Sequence, residues 1–87
     1  MLDTHEAARA AIPKGIWRHF KGNLYEVVDI ARHSETRELV VVYRALYGEG
    51  ELWVRPVSMW LEEVEREGER HCRFTFTGKT DLSEEQL

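Results

Sequence analysis

One cysteine, Cys72, stands in the whole chain, so no internal disulfide can staple it. A domain of 87 residues without staples depends on its apolar core, and such thiol usage suits a reducing cytoplasm. No apolar run approaches the roughly 20 residues that a membrane-spanning helix needs, so no membrane partner is expected. The opening Met1-Leu2-Asp3-Thr4-His5-Glu6 has no basic stretch followed by an apolar one, so no secretory signal is expected either. Basic residues are in the minority, 12 Lys and Arg against 16 Asp and Glu, which argues against generic nucleic-acid binding. His5, His19, His33, His71 and Cys72 are scattered, and no pair has the short spacing of a zinc knuckle. No strand-elbow serine is present, and Gly48-Glu49-Gly50-Glu51 would turn carboxylates toward a phosphate instead of amides. Metal, cofactor and nucleophilic chemistry therefore find no assigned residues.

What is present is a globular pattern. At 43% hydrophobic and 32% charged, the chain has too much apolar content for a disordered one. Its acidity is local: residues 1–60 balance, and the excess lies in the C-terminal third. A short alanine-rich helix is expected over 3–11, with Asp3 or Thr4 as N-cap and Pro13 and Gly15 ending it. Because it offers mainly alanines, it is expected to add little to stability. Strands follow over 16–20, 24–32, 39–46 and 52–55, separated by Lys21-Gly22-Asn23, Ser34-Glu35-Thr36-Arg37 and Tyr47-Gly48-Glu49-Gly50-Glu51. Ser58 reads as the cap of a helical turn through Glu63, and the period-two run 71–77 as a last strand with Cys72, Phe74 and Phe76 on its apolar side.

The expected fold is mainly β: a small SH3-like barrel or roll of about five antiparallel strands, with a short N-terminal helix and a helical turn before the last strand. The alternative is an open antiparallel sheet with that helix across one face. The whole of 1–87 reads as one domain, with a helical extension over 1–13, the barrel over 15–77 and a polar tail over 78–87. Val28, Ile30, Val41, Tyr43, Leu52, Val54, Phe74 and Phe76 are the expected core.

Four motifs carry a family likeness: Gly15-Ile16-Trp17-Arg18-His19-Phe20-Lys21-Gly22-Asn23-Leu24-Tyr25, Ala31-Arg32-His33-Ser34-Glu35-Thr36, Val42-Tyr43-Arg44-Ala45-Leu46-Tyr47-Gly48, and Leu52-Trp53-Val54-Arg55-Pro56 with Met59-Trp60. In this order they resemble a family of small bacterial proteins catalogued as domain of unknown function 1653. Trp60 stands where that family has Phe more often. The resemblance implies a compact SH3-like barrel and carries no activity and no catalytic residues.

Two clusters are candidate sites. In His33-Ser34-Glu35-Thr36, an imidazole, two hydroxyls and a carboxylate share one turn, which suits either a small polar ligand or nothing beyond closure of the turn. In Trp53-Val54-Arg55, alternation puts Trp53 and Arg55 on one face; if Leu52 and Val54 take the core, the indole and guanidinium face outward. A groove lined by Trp53, Arg55 and one of Tyr25, His33 or Glu35 is therefore expected. The favoured function is a cytoplasmic, monomeric, non-enzymatic binding module for a peptide, a partner protein or a small polar ligand, with Tyr25, His33, Glu35, Thr36, Trp53 and Arg55 as candidate contacts. The alternatives are a small enzyme using His33 with Glu35, and weak RNA binding through Arg18 and Lys21.

Overall fold

A computed structural model describes residues 3–80. Thr4 opens the first helix, α1 (His5–Ala11): its Oγ1 accepts the Ala7 N–H at 3.1 Å, and Glu6 lies in the first turn where the helix dipole favours an acid. Ala8 and the following Ile12 are 0% and 1% exposed and belong to the main core cluster. The helix therefore packs into the core. Apolar count alone understates it, because Ile12 beyond its end is the residue that is driven home.

Four antiparallel strands come next: β1 (Gly15–His19), β2 (Leu24–Arg32), β3 (Leu39–Ala45) and β4 (Leu52–Pro56). One helical turn, α2 (Val57–Trp60), starts directly after Pro56 instead of at Ser58. The acidic stretch then extends as β5 (Glu63–Arg66), which pairs with β6 (Glu69–Cys72). Glu67 and Gly68 between them both have positive φ, 54° and 82°, as a two-residue hairpin turn requires. β7 (Phe74–Phe76) returns to β1, completing a five-stranded sheet of order β4-β3-β2-β1-β7.

The fold is mainly β, with seven strands among the described residues where about five were expected. One extra strand is β5 in the acidic stretch, and the other comes from a break at Arg73. Its N–H donates to the Glu62 carbonyl, its own carbonyl accepts the Phe20 N–H, each at 3.0 Å, and its guanidinium holds the Glu62 carboxylate at 2.7 Å. The run read as one strand over 71–77 thus breaks in two as it leaves the hairpin for the sheet. Cys72, expected in the core, is exposed because it belongs to the two-stranded hairpin.

Register decides which side chains face the core. In β3, Leu39, Val41 and Tyr43 point inward. A β-bulge between Val27 and Asp29 shifts the phase of β2, so that Val27 and Ile30 are buried and Val28 is expelled to 38% exposure. In β4, Trp53 lies opposite Tyr43 and Arg55 opposite Val41, so Trp53 and Arg55 take the inner face and Leu52 and Val54 the outer one. The expected core places Leu52 and Val54 the other way round; they are 55% and 61% exposed.

Ile30, Val41, Tyr43 and Phe74 are buried as expected, and Phe76 packs half-buried against them. At the centre Trp60 is 0% exposed and stacks on Phe74, with centroids 3.7 Å apart and planes 4° from parallel; Trp17 and Tyr43 meet it edge-on. The sheet curls enough to set the Arg55 guanidinium 5.6 Å above the Phe74 ring, although β4 and β7 remain its two edges. No described helix is long and apolar enough to cross a membrane.

Candidate functional site

β4 is an edge strand, and the direction of its free backbone groups follows from one hydrogen bond. The Ala45 N–H donates to the Glu51 carbonyl at 3.2 Å. Antiparallel ladders alternate, so Tyr43 with Trp53 and Val41 with Arg55 exchange backbone bonds. Leu52 and Val54 must then direct N–H and C=O away from the sheet. Pro56 is next in that row and has no N–H, which ends it. The strand carries three consecutive exposed apolar side chains, Leu52, Trp53 and Val54. Edge strands are usually blunted by charge, and this one bears only Arg55, turned inward.

Beside this edge lies a depression of about 360 Å³ lined by Tyr25, Tyr43, Tyr47, Glu49, Glu51 and Trp53, among others. Tyr25 is its hub. Its ring meets Tyr43 and Tyr47 edge-on at 5.5 Å, and its hydroxyl hydrogen-bonds the Tyr47 hydroxyl at 2.7 Å. Burial, then that hydrogen bond, pushes the Tyr25 phenol up to about 12, so Tyr25 is neutral at physiological pH. Arg44 donates to the Gly50 carbonyl at 3.3 Å, and Gly48 and Gly50 adopt φ of 60° and 69°, which tethers and bends the loop that presents Glu49 and Glu51.

Of the six candidate residues, Tyr25 and Trp53 meet in this depression. Trp53 is 51% exposed, though it lies on the inner face of its strand and not the outer one. Arg55 is half-buried over Phe74 and does not line the depression. The expectation of an outward Arg55 gave too little weight to the ring face that receives it; of its guanidinium nitrogens, Nε is the one buried without a hydrogen-bond partner among the described residues.

His33, Glu35 and Thr36 occupy the β2–β3 turn instead. There His33 Nδ1 accepts the backbone N–H groups of Glu35 and Thr36 at 3.1 and 3.3 Å, and Thr36 Oγ1 accepts that of Glu38. Glu35 thus gives His33 its backbone N–H, so Nδ1 is engaged without help from a carboxylate and closes the turn.

A second depression, of about 670 Å³, is lined by Arg18, His19, Arg70, His71 and Lys79, among others. Burial, then Arg73, Arg55 and Lys21, hold the His19 imidazole below its usual range, and its Nδ1 accepts the Lys21 N–H. The hairpin supplies counter-charge: Arg70 pairs with Glu63 at 3.3 Å, and His71 lies 3.9 Å from Glu69. Lys21 sits over Phe20 and not in this lining, so Arg18 and Lys21 do not share one cavity. Among the described residues no group of three His, Cys, Asp or Glu is placed to hold a metal.

Sequence reasoning missed Tyr43, Tyr47, Glu49 and Glu51 as neighbours of Trp53. The available signal was a tyrosine at each end of Tyr43-Arg44-Ala45-Leu46-Tyr47, followed by a glycine-bent acidic turn.

The molecule is thus a small mainly β protein with an apolar sheet edge that no described residue pairs with, and an aromatic depression beside it. The sequence profile described as "Protein of unknown function (DUF1653)" matches residues 15–76, and the chain belongs to that family. It is similar to a crystal structure of a DUF1653 protein from Bordetella bronchiseptica, at 33% identity and a TM-score of 0.74, covering 80% of this chain and 92% of the other. No curated protein matches the chain.

Proposed function

We propose that the protein is a non-enzymatic binding module of the cytoplasm, a monomer whose β4 edge receives an extended segment of a partner protein. The observation that carries this reading is the exposure of Leu52, Trp53 and Val54, at 55%, 51% and 61%, on a strand with outward backbone groups. An extended peptide laid antiparallel along β4 can exchange bonds with the N–H and C=O of Leu52 and Val54, and Pro56 limits how far it runs. Leu52 and Val54 offer apolar contact on one face and Trp53 on the other. The single thiol supports a reducing compartment.

The test is a selection from a random-peptide display library on the parent, with recovered peptides reassayed on Trp53→Ala and Val54→Lys. Both sites are exposed, so both variants should melt close to the parent. Peptides should lose about tenfold or more in affinity on either variant. Equal binding by all three proteins, or no enrichment, contradicts the proposal. A dimeric parent made monomeric by Val54→Lys would assign the edge to self-pairing instead.

A further inference from the structure

We infer that the depression beside β4 is a receptor for a cationic side chain, an ammonium or methylated ammonium group on the bound segment. This rests on the β4 reading and names the chemistry that would anchor the ligand there. Three features converge. Aromatic rings meet at steep angles: Tyr43 and Tyr47 stand 75° and 79° from the plane of Tyr25, so the three rings pack edge to face instead of in a flat stack. Trp53, half exposed on β4, adds an indole to the same lining. The charged residues of that lining are Glu49 and Glu51, both acidic. The exposed rings of Tyr47 and Trp53 offer a cation aromatic surface, and the carboxylates complement its charge without requiring it to shed all its water.

The neighbouring cations do not compete. Arg44 is engaged with the Gly50 carbonyl and lies 3.9 Å from Glu26, on the face of β3 opposite to Tyr43. Arg55 sits over Phe74. The Tyr25 phenol, neutral at physiological pH, adds no charge of its own, and its hydrogen bond to Tyr47 fixes the two rings relative to each other. A neutral apolar group of the same shape would fill the space and leave the ring faces and both carboxylates without a counterpart. The geometry thus selects on charge as well as on fit.

The experiment uses the isotope-labelled full chain and two probes: a capped trimethyl-lysine amide, and its neutral isostere with a carbon in place of the quaternary nitrogen. The readout is the indole N–H signal of Trp53, distinguished from those of Trp17 and Trp60 by a Trp53→Phe spectrum. The expected result is a millimolar shift of that signal by the cation, about tenfold weaker binding of the isostere, and loss of several-fold in cation affinity in Glu49→Gln/Glu51→Gln. Equal binding of both probes overturns the inference and leaves the β4 edge standing, because the site would then be merely apolar. No shift by the cation at millimolar concentration also overturns it. The peptide assay on Val54→Lys, which reads the backbone edge and not the cage, reports separately on the underlying reading.

Discussion

Trp60 is the sharpest probe of the core. It has no exposed surface, stacks on Phe74, and its Nε1–H is buried with no hydrogen-bond acceptor among the described residues. Two substitutions separate the effects. Trp60→Ala removes the stack and leaves a cavity between Trp17, Tyr43 and Phe74, which should cost about 3–5 kcal/mol. Trp60→Phe keeps a ring on Phe74. It leaves roughly 40 Å³ less filled, which at about 24 cal/mol per Å³ costs about 1 kcal/mol. Against that, it removes a buried unpaired donor, whose desolvation costs about 1–3 kcal/mol. The two effects nearly cancel or favour Phe, so Trp60→Phe should lie within about 1 kcal/mol of the parent or above it. Urea unfolding followed by circular dichroism measures both, since the tryptophan signal itself changes with the substitution. A loss of more than about 2 kcal/mol in Trp60→Phe would refute the reasoning, because it would mean that the indole N–H is satisfied and stabilising.

Other consequences are as direct. Ile12→Ala should cost about 2–4 kcal/mol, whereas Val54→Ala on the outer face of β4 should cost under about 1 kcal/mol; reversed values in urea unfolding would contradict the register. Gly15 has φ of +133°, and a Cβ there would lie 2.5 Å from the Lys79 carbonyl that accepts the Ile16 N–H, so Gly15→Ala should visibly lower the melting temperature. For Tyr25, the folded phenol holds its proton up to about 12 against 10.0 ordinarily. Its contribution is complete below the ordinary value and declines as pH rises toward 12, and Tyr25→Phe should flatten that alkaline decline in urea midpoints.

The mainly β class, the first four strands and their turns were legible because alternation and Gly/Asn punctuation are local signals. So was the start of the first helix, narrowed to Asp3 or Thr4 as cap, of which the structure uses Thr4. Three features were not. The bulge at Val28 inserts one residue and reverses the facing of what precedes it, which composition does not announce. The hairpin of β5 and β6 was hidden because an acidic run with Gly68 at its end reads equally as a frayed helix. The facing of β4 was inverted because alternation fixes pairs and not sides; Phe74, distant in sequence and itself stacked on Trp60, supplies the ring face under Arg55. Trp53 is exposed as expected, but because its strand is an edge and not because it faces outward. The aromatic depression depended on the loop after β3 folding back on Tyr25, a contact no local pattern reports.

The most direct measurement is amide hydrogen exchange on the full chain, free and bound to a peptide selected from the display library. Leu52 and Val54 amides, which point away from β3, should exchange rapidly in the free protein and become protected on binding, while Trp53 and Arg55 amides are protected throughout. Protection of Leu52 and Val54 already present in the free monomer would contradict an open β4 edge. So would peptide-induced changes confined to the cavity lined by Arg18 and His71.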